Sequence, residues 1–266
     1  MNTKTILLSL LCIIGITTAT AQSDVYYWKD GKAVKLETVD SLTFTAPASG
    51  NPQVDDARAL AEATTEDIGK IIGEDGKINA TKEAAEAAGI TAVAMIAYVG
   101  NDAETNSTYR HGLALALKDA SGPQQWCTLY SEICLSNQYP DVFNMSPPKG
   151  DMAGLANTDA LVYHSSHTHA AATAVRKYKY ADGVAEGVHP LVTSEWFLPS
   201  AGQWDKMATA AGGYAKLTSN AGLQSDLYWT STEINTDWVW GFAAVVGRWI
   251  FDYKDYVYLV RACLAF

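Results

Sequence analysis

The stretch YWTSTEINTDWVWGFAAVVGRWIFDYKDYVYLVRACLAF, residues 228–266, decides how this chain is read. Its ends look like packed scaffold: LVRACLAF has the composition of a terminal core strand, and Trp229 that of a core anchor. Between them, residues 248–258 crowd aromatic, aliphatic and acidic side chains together. In a strand, alternate residues face opposite ways. Trp249, Phe251, Tyr253, Asp255 and Val257 would then share one side, and Arg248, Ile250, Asp252, Lys254, Tyr256 and Tyr258 the other. Neither set is uniformly apolar, so the segment lacks the pattern of a half-buried strand. Some of its rings are expected at the surface, where contiguous apolar area signals a partner site. Exposed Tyr and Phe bring large contact area for few lost torsions, and carboxylates add directional hydrogen bonds. Arg261 reads as a structural ion-pair residue, with Glu233 its candidate partner.

Working back from this block, SAGQWDKMATAA (200–211) starts after Pro199 with Ser200 placed to cap a helix. Further helices are expected near 126–135 and 168–180. TKEAAEAA (81–88) forms a short one, capped by Thr81 and stopped by Gly89. TAVAMIAYV (91–99) and GLALAL (112–117) are apolar runs of strand length, expected to be central and buried. The polar segment 100–111 between them is turn-like, and 68–78 suggests a hairpin around Glu74-Asp75-Gly76. About three to four helices among short strands give an α+β order with small mixed or antiparallel sheets, unlike the alternation of a doubly wound nucleotide-binding sheet.

At the N-terminus, residues 25–45 read as a β-hairpin turning at Asp30-Gly31. APASGNPQVDDA (46–57) reads as a linker to a main domain over 58–266. MNTKTILLSLLCIIGITTATAQ begins the chain like a secretory signal, with Lys4, an apolar core and a cleavage motif ending at Ala21. Lipid anchoring is the minority alternative, because Leu11 rather than a small residue precedes Cys12. The expected destination is the cell surface or the exterior. The apolar run is too short for a membrane span, which needs roughly 20 residues. The formal net charge is −10, one unit more negative once Lys4 leaves. Such a surface repels phosphate backbones and argues against nucleic-acid binding. Of the four cysteines, Cys127, Cys134 and Cys263 remain after cleavage. A Cys134–Cys263 bridge and three buried thiols are both open. A Cys127–Cys134 bridge does not suit a regular helix, whose geometry puts them about 10 Å apart.

Four phrases occur in this order: WFLPSAGQWDKM (196–207), YWTSTE (228–233), VWGF (239–242) and YLVRACLAF (258–266). Together they resemble the C-type-lectin-like domains of Bacteroidales surface proteins, related to the formylglycine-generating-enzyme-like and DUF1566 groups. The likeness extends over 69–118 through AVAMIAYVG and HGLALALKDA. It implies a C-type-lectin-like fold and a binding function. Some members are variable proteins, diversified by retroelements that rewrite adenines in a C-terminal repeat. Asn codons there mutate to Tyr, Phe, Asp, Val, Ile, Arg and Gly. Arg248, Ile250, Phe251, Asp252, Tyr253, Asp255, Tyr256, Val257 and Tyr258 fit that set, with Trp249 and Lys254 as fixed points between them. An ordinary hairpin with inward-packed aromatics is the alternative. The expected ligand face combines these nine positions with Asn235, Asp237, Trp238 and Gly241, above a frame of Trp196, Trp229 and Trp240. Its partner would be a protein or glycan on a host, phage or bacterial surface, and the hairpin could dock the domain into an assembly such as a pilus.

Other chemistries find less support. His164 and His167 have i, i+3 spacing but neither a metalloprotease Glu between them nor an evident third ligand, so no metal is expected. Glu233, Asn235 and Asp237 could contribute to a calcium loop, yet the sugar-selecting Glu-Pro-Asn triplet is missing. No G-x-S-x-G supports a serine hydrolase. Kinship with formylglycine generation points to Cys263 as the residue of an enzymatic alternative. It has no local cysteine partner for copper, and its apolar neighbours predict an inert, buried thiol. No catalytic residue and no cofactor is assigned.

Overall fold

The computed structural model describes residues 26–29 and 32–35 for their backbone, and 58–105, 108–128, 133, 148–164, 168–244 and 246–266 in full. The signal, the Asp30-Gly31 turn, the 46–57 linker, Cys134 and His167 lie outside the described residues. The chain divides into two compact units, Met1–Gly50 and Asn51–Phe266. In the first, β1 (Tyr26–Lys29) pairs antiparallel with β2 (Lys32–Lys35).

The second unit is α+β, with short antiparallel sheets and five helices among the described residues. Strands β3 (Ile71–Gly73) and β4 (Ile78–Asn79) form the hairpin that Gly76 turns at φ 74°. Helix α1 (Lys82–Ala87) follows, its first turn capped by Thr81, whose hydroxyl accepts from Ala84 N at 3.1 Å. Strands β5 (Ala92–Val99) and β6 (Gly112–Ala116) are buried almost throughout. With the C-terminal strand, here numbered last as β12 (Cys263–Ala265), they complete a five-stranded sheet ordered β12-β6-β5-β3-β4.

Alternation along these strands feeds two cores. Ile96, Ala114 and Leu264 join Trp126, Val175, Trp196 and Trp229 in one. Met95, Leu115 and Cys263 join Trp204, Met207, Tyr228 and Phe242 in the other. That double coverage is why both runs are continuously apolar. Strand β7 (Gln124–Gln125) leads to helix α2 (Gly154–Val162), whose Leu161 enters the first core and Leu155 the second, and to α3 (Ala170–Arg176) on the first core. Helices α4 (Ala201–Ala210) and α5 (Tyr214–Asn220) lie on the second. Ser200 caps α4 in a capping box with Gln203.

Two sequence expectations are corrected. Residues 126–128 are not helical, whereas α2 and α5, which carry no strong start signal, are. Arg261 pairs with Asp119 (Nε–Oδ1 2.8 Å), not Glu233, and donates to the carbonyl of Ala116 at 2.8 Å. Of the two readings left open for the cysteines, buried thiols describe Cys127 and Cys263.

Candidate ligand-binding face

The C-terminal sheet begins with β8 (Leu227–Glu233), whose polar residues are structural. The Thr232 hydroxyl accepts from Ala201 N (2.8 Å) at the start of α4 and donates to Asp151 (2.7 Å). Thr230 donates to the carbonyl of Trp240 at 2.8 Å. These bonds lock β8 against the helical layer and make a stiff base.

The chain reverses over 234–237, where Asn235 Oδ1 accepts from the backbone N–H of both Asp237 and Trp238 at 2.8 Å. Strand β9 (Trp238–Ala243) then pairs with β10 (Arg248–Tyr253) in register Ala243↔Arg248, Gly241↔Ile250 and Trp238↔Tyr253. The return needs Gly247 at φ 59°, because a Cβ there would meet Tyr214 Cβ at 2.9 Å. The sheet is ordered β10-β9-β8, so β10 is its edge.

The face that carries Trp249, Phe251 and Tyr253 changes character along its length. At one end Trp249 packs against Tyr214 (ring centroids 6.2 Å) and Phe242 (5.8 Å) and donates to Tyr214 Oη at 3.2 Å. In the middle Phe251 lies over buried Trp240 at 5.8 Å and beside Trp238 at 5.2 Å. At the far end Tyr253 is 44 % exposed, and Trp238 stands 6.0 Å from it. The rings thus pass from core to surface along one strand.

Beyond Tyr253 the chain turns, and Lys254 runs inward. Its ammonium pairs with Glu233, both side chains having no solvent exposure, and lies 5.2 Å from the Trp126 ring centroid. Glu233 also accepts from Ile133 N at 2.8 Å. Lys254 N donates to Asp237 O (3.0 Å), and Lys254 O accepts from Trp126 N (3.0 Å) and Cys127 N (3.1 Å). Around this anchor, Tyr256 is 51 % and Val257 56 % exposed, and Asp255 is exposed too. Strand β11 (Val257–Tyr258) returns the chain to β7. Tyr258 packs on Trp229 with centroids 4.4 Å apart and donates to Asp252. Burial, and after it the Asp252 carboxylate, push the Tyr258 hydroxyl above its ordinary range.

Of the expected face, Arg248, Tyr253, Asp255, Tyr256 and Val257 are exposed. Asn235, Asp237, Trp238, Ile250, Phe251, Asp252 and Tyr258 are half-buried around them. Gly241 is a correction: it is buried behind Ile250, whose Cγ1 a Cβ would approach to 3.0 Å, so it serves packing rather than contact. Glu233 and Asn235, weighed above as calcium-loop candidates and not favoured, direct side-chain oxygens to Lys254 and to the 234–237 turn. Cys263 is buried, and burial pushes its thiol well above the ordinary range. His164 and His169 lie with ring centroids 5.6 Å apart. Sequence reasoning missed the Glu233–Lys254–Trp126 anchor. Nothing local marks Lys254 as buried, because its sequence neighbours are Tyr and Asp.

Three clefts lie away from these residues: one of about 490 Å³ lined by Lys82, Ile90 and Tyr180, one of about 600 Å³ by Lys118, Lys177 and Tyr178, and one of about 560 Å³ by Ile68, Tyr98 and Lys206. No described helix is long and apolar enough to cross a membrane.

No family model matches the chain, and no curated protein matches it. Among solved structures it is similar to a fimbrial protein from Bacteroides ovatus, at 16% identity and a TM-score of 0.48. That likeness covers 75% of this chain and 48% of the fimbrial chain, so this chain spans about half its length.

Proposed function

We propose that the chain is an exported, surface-displayed binding protein built on a C-type-lectin-like domain, with residues 248–258 and the 234–238 turn as its ligand face. One observation carries this reading. Lys254 is fully buried in an ion pair, while Tyr253 and Tyr256, one and two positions away, stand 44 % and 51 % exposed. A hairpin that only fills a core has no reason to fix its backbone so firmly and then turn large rings to water. Rigid aromatics on a stiff support suit recognition, because little side-chain freedom is lost on binding.

Retroelement diversification is part of the proposal, and five of the nine replaceable positions, Arg248, Tyr253, Asp255, Tyr256 and Val257, are exposed, while Ile250, Phe251, Asp252 and Tyr258 are half-buried. Between them, Lys254 is fully buried and Trp249 is half-buried against Tyr214 and Phe242. The partner is a protein or glycan on a host, phage or bacterial surface, and the N-terminal hairpin would dock the domain into an assembly such as a pilus. The buried, proton-retaining Cys263 thiol speaks against catalysis of the formylglycine-generating type, since the thiolate is the reactive form.

The test presents the exported chain to arrays of bacterial and host surface glycans and proteins, beside a Tyr253→Ala/Tyr256→Ala variant of unchanged circular dichroism. A target that the parent binds and the variant binds at least about tenfold more weakly supports the face, two central aromatic contacts being worth that much or more. Targets bound equally by both place recognition elsewhere.

A further inference from the structure

In an antiparallel ladder every second residue bonds to the same neighbour, so one bond fixes the direction of the rest. Lys254 N donates to Asp237 O at 3.0 Å, one step beyond the Tyr253↔Trp238 register pair. By alternation Asp252, Ile250 and Arg248 bond to β9. The N–H and C=O groups of Trp249, Phe251 and Tyr253 then point to the other side, where no strand of the described residues lies. Tyr253 has both groups occupied: its N–H donates to Asp252 Oδ1 at 2.9 Å, and its C=O accepts from Tyr256 N at 3.1 Å. The corresponding groups of Trp249 and Phe251 have no partner among the described residues. The open edge is therefore Trp249-Ile250-Phe251, between the Gly247 turn and the closed Tyr253. Edges are commonly protected by a lysine, a proline or a bulge, whereas this one presents two aromatic residues and a β-branched one.

This edge is complementary to a second copy of itself. Its open groups are all paired with one another only when Trp249 stands opposite Phe251 of an antiparallel copy, which puts Ile250 on a two-fold axis. The remaining oppositions in that register also fit. Arg248 stands opposite Asp252 of the second copy as a non-hydrogen-bonded pair, the kind whose side chains approach closely. Arg248 is exposed and makes no ion pair among the described residues. The Asp252 carboxylate accepts from Tyr253 N and from the Tyr258 hydroxyl, one on each oxygen, which leaves about half of its lone-pair sites open. Gly247, which has no side chain, stands opposite the 44 % exposed Tyr253.

We propose that the β10 edge joins two copies of this chain, paired antiparallel through Trp249-Ile250-Phe251 by main-chain hydrogen bonds and by an Arg248–Asp252 ion pair on each side of the axis. Such a contact uses the same patch on both copies and closes after two, and the occupied groups of Tyr253 stop the pairing from lengthening. The inference does not rest on the ligand face proposed above. It covers the near end of that segment and leaves Tyr253, Asp255, Tyr256 and Val257 of both copies outside the paired stretch. Tyr253 of one copy then lies six residues, roughly 20 Å, along the edge from Tyr253 of the other.

Sedimentation of the exported chain over about 0.01–1 mM should show a weak, concentration-dependent dimer, as suits an interface at the small end of the known range. Arg248→Glu alone and Asp252→Lys alone should each stay monomeric, because like charges then stand opposite one another. Mixed in equal amounts, the two variants should dimerise, since both oppositions become attractive. Ile250→Cys tests the register: Cα atoms opposed at about 4.5 Å suit a disulfide, so mild oxidation should link this variant, and not the parent, into a dimer. Arg248→Cys, whose two copies lie about 13 Å apart, should not link to itself but should link to Asp252→Cys. Arg248→Glu and Ile250→Cys leave Asp252 in place, so the test holds even where the Asp252 variants do not fold. A parent still monomeric at about 1 mM, a dimer unmoved by Arg248→Glu, or linking of Arg248→Cys to itself as efficient as that of Ile250→Cys overturns the inference.

Discussion

Between Tyr253 and Asp255, which face solvent, Lys254 turns inward and ends on Glu233 beneath the Trp126 ring. A buried pair of this kind adds little net stability over a well-packed apolar pair, but removing one member strands the other in a medium that cannot solvate it. Lys254→Met should therefore lower unfolding free energy by about 3–5 kcal/mol. Adding Glu233→Leu should return a large part of that loss, as read by urea denaturation. Tyr258 gives a residue-scale prediction in pH. Its hydroxyl is held above the ordinary value of 10.0, first by burial and then by Asp252. The unfolded chain therefore ionises first as pH rises, so the contribution is complete below pH 10 and is lost through the folded-state value above it. Tyr258→Phe should show a shallower alkaline decline in stability than the parent.

Strands and helices differ in how openly the sequence announces them. Thr81 and Ser200 are capping residues whose hydroxyls meet the N–H groups of Ala84 and Gln203, so α1 and α4 are legible from local chemistry alone. The runs that became β5 and β6 are legible because both their faces are covered. Helix α2 is not, since GLANTDALV contains Gly154, Asn157 and Thr158, all poor helix formers. It is held by tertiary bonds instead, among them Leu198 N to the Thr158 hydroxyl at 2.9 Å. On β10, alternation correctly groups Trp249, Phe251 and Tyr253. It cannot tell that Tyr214 and Phe242 cover the first, whereas Tyr253 is left part-exposed. The two ends of the segment should accordingly respond differently to truncation. Trp249→Ala should cost about 3 kcal/mol, as large-to-small changes against a core do, and Tyr256→Ala should stay within about 0.5 kcal/mol of the parent in thermal unfolding.

At the scale of the whole second unit, two cores on opposite faces of the five-stranded sheet are joined through β8 and β9. Tyr228 and Phe242 enter one core, and Trp229 and Val239 the other. The edge strand β10 is thereby carried on elements anchored in both cores, which, on the proposed function, separates holding the fold from meeting a partner. The α+β architecture was legible in the sequence, and so was the mixed polar and aromatic character of residues 248–258. The anchor beneath the face was not, because a buried Lys254 depends on Glu233 and Trp126, both remote in the chain. That separation is open to a direct measurement: every position from 246 to 258 randomised one at a time, displayed on cells and sorted for resistance to proteolysis. Arg248, Tyr253, Asp255, Tyr256 and Val257 should accept most residue types with the fold intact, while Trp249 and Lys254 accept almost none. Intolerance spread evenly along the segment, or concentrated at Tyr253 and Tyr256, would show the rings to be part of the core and contradict a displayed recognition face.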